Sequence, residues 1–169
     1  MIFDFYPWKM DIDIKATKQL YERKDYAKDR NANKTMFQEM SEKQRNFFIS
    51  VGVDILKAKV IEKVHNIPSD GELTGGKIYS RTLDFLMCGK FLSIPDYQEE
   101  VYSDEEIFGM NFSHSLQVIS MPEEQKIPVF DIDGWGCVFK HPLFRFGEED
   151  FKQWDCGYIA GTILLMKDL

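Results

Sequence analysis

A chain of 169 residues, 44% hydrophobic and 14% aromatic, has the size and apolar content of an ordinary folded domain, which excludes a disordered or fibrous protein. With a net charge of −7 and a pI near 5.0 it lacks the basic character of a nucleic-acid binder. The start of the chain lacks the basic, then apolar, pattern of a secretory signal, and the longest apolar run, residues 159–166, is far below the ~20 residues of a membrane span. A soluble, cytoplasmic protein is the expectation. Three cysteines at irregular spacing agree with a reducing compartment, and each reads as a small buried hydrophobe.

In chain order, Phe3, Phe5, Tyr6 and Trp8 surround Pro7 and read as a starting edge strand or a packed arm. Asp13 is placed to cap a helix over residues 14–28, with Leu20 and Tyr21 in its apolar stripe. Met36, Phe37 and Met40 suggest a helical turn or two. Ser41-Glu42-Lys43-Gln44 is a capping-box pattern, followed by Phe47, Phe48 and Val51 toward the core. Gly52 stands where a left-handed helix stop belongs. Residues 1–52 are therefore expected to be mainly helical.

From residue 53 the pattern changes to strands. Ala58, Val60 and Val64 alternate with Lys57, Lys59 and Lys63 across residues 54–67, a strand with one wet face. Residues 68–76 form a Pro- and Gly-rich loop. Tyr79, Arg81, Leu83, Phe85 and Met87 share one face of the next strand, which residues 90–94 continue and Pro95 ends. Residues 96–110 are acidic, with a short helix starting near Ser103, and residues 115–121 read as a strand before a turn at 122–125. Asp133-Gly134 between residues 129–132 and 135–139 is a type I′ hairpin signal. Residues 147–154 suggest a short helix with an acidic first turn, and residues 158–166 a final buried strand. Helices first and strands later predict an α+β fold. N-terminal helices pack on a mostly antiparallel sheet in a single domain spanning residues 1–169.

The aspartates at the hairpin invite catalytic readings. Phe130-Asp131-Ile132-Asp133-Gly134 resembles the first motif of haloacid-dehalogenase-type phosphatases, where the two aspartates act as nucleophile and acid/base. Here Trp135 replaces the expected threonine, and only 36 residues follow Asp133, too few for the parallel sheet and the lysine that the resemblance implies. An EF-hand loop counted from Asp131 places Trp135 at position five and Pro142 at position twelve, so the oxygen ligands fail. Asp11-Ile12-Asp13 and Asp131-Ile132-Asp133 also match the Asp-x-Asp of metal-dependent sugar transferases, a pattern common in any acidic chain. Helix capping and a hairpin turn account for the same residues.

Cys137 and His141 are zinc-ligand types, with Cys156 further on. Positions i and i+4 of a strand lie ~13 Å apart, so Cys137 and His141 cannot share a metal on a straight strand. A fourth ligand from Cys88, His65 or His114 has no spacing to recommend it. A nucleophilic Cys156–His141 pair has no flanking signature. The glycines at 71–76 and at 157 and 161 lack the Gly-Lys-Ser/Thr of a phosphate loop. No catalytic residue, metal or cofactor is therefore expected.

The charge layout is more informative. Residues 9–63 carry 13 Lys and Arg against 9 Asp and Glu, a balance of +4; residues 64–169 carry 8 against 18, a balance of −10. Asp96, Glu99, Glu100, Asp104, Glu105 and Glu106 fall within eleven residues without a basic one, and Glu148, Glu149, Asp150 and Asp155 form a second group. Acidic clusters steer basic partners or simply solvate a face. The expectation is a non-enzymatic protein-binding domain for a basic partner, possible forms being a bacterial inhibitor or immunity protein against a toxin or nuclease. Asp104, Glu105, Glu106, Trp135, Glu148 and Glu149 are the expected contacts. A ligand-binding or enzymatic pocket on the sheet and an oligomeric subunit are the alternatives. The sequence leaves the oligomeric state open.

Overall fold

The computed structural model describes residues 1–66, 76–95, 128–142 and 157–168. Its elements are β1 (Ile2–Phe5), β2 (Trp8–Ile12), α1 (Ile14–Arg23), α2 (Arg30–Glu39), α3 (Glu42–Val51), a 3₁₀ turn (Ile55–Lys57), β3 (Lys59–Asn66), β4 (Lys77–Ser93), β5 (Phe130–Ile132), β6 (Trp135–Lys140) and β7 (Tyr158–Asp168). The seven strands form an antiparallel sheet in the order β1-β2-β4-β7-β6-β5, with β3 pairing on β4, and the three helices pack against it. The fold is α+β, as the element order implied. The expected helix near Ser103, the strand at 115–121, the turn at 122–125 and the helix at 147–154 lie outside the described residues.

The N-terminal aromatics form a hairpin. Phe5 pairs with Trp8 and Phe3 with Met10, so alternate residues point into the core, and Trp8 and Met10 are fully buried. The mainly helical stretch expected over residues 1–52 thus begins only at residue 14. Asp13 caps α1 by accepting from the Ala16 amide at 2.8 Å. The helix ends at Arg23 instead of near residue 28. Asp25 bends the chain by accepting from the Ala27 amide, and the Tyr26 amide donates to the Lys57 carbonyl of the 3₁₀ turn. α2 is longer than a turn or two, because Asp29 accepts from the amides of Asn31 and Ala32 and starts it. The Ser41–Gln44 capping box forms as expected, and Gly52 ends α3 at a φ of 80°.

Strand β4 organises the sheet. It pairs with β7 along one edge; along the other, β3 covers its first half up to Asp84 and β2 resumes at Gly89. Helix α1 fills the interval. The Tyr21 hydroxyl accepts from the Leu86 amide at 2.9 Å and donates to the Leu86 carbonyl at 3.0 Å. Thr17 Oγ1 accepts from the Cys88 amide at 3.0 Å, and the Asp13 amide donates to the Cys88 carbonyl at 2.8 Å. Side chains of a helix thus replace a missing strand, and the buried backbone groups stay paired. Complete burial pushes the Tyr21 phenol well above its ordinary value, so it keeps its proton.

Residues 83–88 of β4 are buried on both faces, which suits a central strand. The one acid among them, Asp84, accepts from Thr162 Oγ1 at 2.7 Å. Gly161 pairs with Phe85, whose ring lies where a side chain would be; a Cβ there would fall 2.1 Å from Phe85 Cζ. Phe5 of β1 and Phe130 of β5 have ring centres 4.8 Å apart, so the sheet curls until its two end strands share an aromatic contact. Two details of β3 depart from expectation. The strand starts at Lys59, because Asp54 accepts from the Leu56 amide and winds residues 55–57 into the 3₁₀ turn. Val64, expected to face the core, is 56% exposed; its neighbours across the sheet are Tyr79 and Lys167, whose polar ends give it little apolar cover.

Candidate functional site

The best-defined candidate is the tip of the β5–β6 hairpin. Asp133 has a φ of 49° and Gly134 a φ of 90°, the conformation a type I′ turn requires. The Gly134 amide donates to the Asp131 carboxylate, at 3.1 Å to Oδ1. From below, the N-terminus of α3 takes hold of the turn. Ser41 Oγ donates to Asp133 Oδ2 at 2.6 Å, and Gln44 Nε2 donates to the carbonyls of Ile132 at 3.3 Å and Asp133 at 3.0 Å. The Asp133 carboxylate thereby sits at a helix N-terminus, where the helix dipole favours negative charge. Lys43 Nζ lies 3.8 Å from Asp133 Oδ1, an exposed pair that contributes only ~0–1 kcal/mol. Trp135 follows the turn. It pairs with Ile132, packs partly on the core and remains half-buried.

The geometry assigns structural work to the aspartates. Asp131 fixes the turn and Asp133 ties it to α3, so neither stands free beside a partner for acid–base chemistry. Cys137 is buried in the core; desolvation pushes its thiol well above the ordinary range and outweighs a backbone hydrogen bond, which makes it a poor nucleophile. His141 is exposed and stacks edge-on against Phe91 with ring centres 5.2 Å apart. The structure therefore separates Cys137 from His141; Cys156 lies outside the described residues. Among the described residues no group of three or more His, Cys, Asp or Glu side chains is placed to hold a metal.

Comparison of the chain with protein-family models, with curated proteins and with solved structures gives no match.

Of the six expected contact residues, Trp135 is placed at the hairpin tip, while Asp104, Glu105, Glu106, Glu148 and Glu149 lie outside the described residues. No helix among the described residues is long and apolar enough to cross a membrane.

Among the described residues, two of the larger clefts escaped the sequence reading. One, of about 540 Å³, is lined by Asp11, Asp13, Gly89, Lys90 and Gly157. Its carboxylates are engaged: Asp13 caps α1, and Asp11 bonds the Met1 ammonium group at 2.9 Å, a contact that lowers the Asp11 pKa. The other, about 370 Å³, runs between the helices and includes Phe37, Arg45, Ile49 and Lys57. Arg45 lies over the Phe37 ring at 4.9 Å and donates to the carbonyls of Phe37 and Gln38 at the end of α2. Phe37 and Ile49 are exposed, although their apolar character reads as core; only the helix rotation set by Met36 and Phe48 reveals this.

Proposed function

We propose that this chain is a non-enzymatic binding domain for a protein with a basic surface. Its most specific form is a cytoplasmic inhibitor, of the immunity type, that covers the site of a basic toxin or nuclease. The observation that carries the reading is Trp135, held half-buried on a hairpin whose turn is fixed by Asp131, Ser41 and Gln44. A large amphipathic side chain on a preorganised support loses little freedom on binding, which is how aromatic anchors come to dominate interfaces. The acidic groups around Asp104–Glu106 and Glu148–Glu149 supply the charge that speeds encounter with a basic partner.

The reading is tested by immobilising the chain, exposing it to the soluble fraction of its source at low and moderate salt, and identifying what binds. One stoichiometric basic protein, held less well as salt rises, supports it. With that partner in hand, Glu105→Lys combined with Glu106→Lys is expected to slow association and flatten its salt dependence. Retention of nothing at either salt overturns the reading and favours the 540 Å³ cleft as a ligand site. A sedimentation series that shows concentration-dependent self-assembly would instead favour a structural subunit.

A further inference from the structure

Near the start of β4, an arginine is buried on an otherwise apolar face. The Arg81 side chain is 7% exposed and lies on the face that also carries Leu83 and Phe85. Its Nε donates to Glu62 Oε1 at 2.9 Å and to the Tyr79 hydroxyl at 3.2 Å, and its Nη1 donates to Glu39 Oε2. Nη2 has no hydrogen-bond partner among the described residues. Arg81 lines a cavity of about 140 Å³ together with Glu39, Tyr79, Leu165, Met166 and Lys167. The Lys167 ammonium lies 5.0 Å from the centre of the Tyr79 ring.

The two carboxylates are not held alike. Glu62 is 33% exposed and projects from the neighbouring strand, whereas Glu39 is 54% exposed and is the last residue of α2. A helix C-terminus disfavours negative charge, so Glu39 is the partner that leaves most readily for water. Its departure opens Nη1 beside Nη2, the forked pair of donors that a carboxylate accepts bidentately.

We propose that Arg81 is a carboxylate-binding site in which Glu39 acts as an exchangeable stand-in for the ligand. The incoming carboxylate takes Nη1 and Nη2, and Glu39 turns to solvent. Lys167 supplies the second positive charge, and Leu165, on the same face as Arg81, packs a short aliphatic stem. The cavity is below the ~300 Å³ at which drug-sized sites begin, so the occupant is a small acid or the carboxylate end of a peptide. This site is independent of the protein-binding reading built on Trp135.

The test follows the Arg81 Nε–H resonance by NMR during titration with sodium butyrate, with a short blocked peptide ending in a free leucine carboxylate, and with sodium chloride at equal ionic strength. A saturable shift with a carboxylate but not with chloride is the expected result, and millimolar affinity suits so small a ligand. Tighter binding of the peptide than of butyrate assigns a protein C-terminus as the source; equal binding assigns a free acid. Glu39→Gln keeps a neutral hydrogen-bond acceptor, removes the competing charge and is expected to tighten binding about tenfold. Arg81→Lys, which loses the forked geometry, is expected to abolish it. Failure of both carboxylates to saturate overturns the proposal. So does an unchanged affinity in Glu39→Gln, a variant at an exposed position that does not depend on Arg81→Lys folding.

Discussion

The junction between α2 and α3 is fastened to the sheet on both sides, and the two fastenings are built differently. On one side Ser41 and Gln44 hold the β5–β6 turn, using neutral hydrogen bonds and one carboxylate at a helix N-terminus. On the other, two residues earlier, Glu39 reaches a charged arginine buried in β4. The first uses groups that the helix end and the turn must satisfy anyway, and the helix dipole helps it. The second buries a cation, opposes the dipole and leaves one guanidinium nitrogen without a hydrogen-bond partner among the described residues. A fastening of the first kind makes a rigid platform, which suits the half-buried Trp135 it supports. One of the second kind is poised to exchange partners.

Substitutions that remove one fastening at a time sharpen the contrast. Arg81→Ala is expected to cost the most, about 3 kcal/mol, the low end for breaking a buried ion pair because Glu39 and Glu62 reach water. A fall in the urea midpoint without a change of slope is the readout. A loss below about 1 kcal/mol would mean that the guanidinium is not buried as described.

Tyr21→Phe comes next, at about 2 kcal/mol, because the Leu86 amide and carbonyl both lose their partner. It also carries a pH signature. The buried phenol stays protonated in the folded state while the unfolded phenol ionises near pH 10, so the native state then binds more protons. Stability is complete below that pH and falls as pH rises above it. The fall in melting temperature above pH ~10 is expected to be steeper in the wild type than in Tyr21→Phe. Parallel curves would contradict the assignment.

Ser41→Ala removes a cap and the tie to Asp133, and is expected to cost about 1 kcal/mol in chemical denaturation. Glu39→Gln is the smallest, at most about 1 kcal/mol, because half of that carboxylate already faces water. The order Arg81, Tyr21, Ser41, Glu39 is itself the prediction. A Glu39→Gln loss as large as that of Arg81→Ala would show that the pair is not exchangeable.

The two fastenings also differ in how visible they are in the amino-acid sequence. The capping box at Ser41 and the Asp133-Gly134 turn are local motifs, complete within four residues, and both form as read. Their mutual contact joins residues 92 positions apart, which no local pattern encodes. Alternation along β4 places Arg81 on the apolar face correctly, yet its partners lie 42 and 19 residues away, so its burial was not legible. Tyr21 reads as part of an apolar stripe because a ring is apolar; its hydroxyl proves decisive only once β4 is left without a strand beside it. The start of α2 was hidden because Asp29 stands between Lys28 and Arg30 and looks like one charge among several. The acidic clusters, the strongest compositional signal, lie outside the described residues, and their part in the proposed function rests on charge alone.

The dissociation rate of the captured basic partner from the wild-type chain and from Trp135→Ala, measured side by side at moderate salt, tests the central claim most directly. A rate about 30-fold faster for Trp135→Ala, equivalent to about 2 kcal/mol, with the free chain still folded, is the predicted result. Equal rates for the two chains would contradict the claim that the hairpin tip anchors the partner.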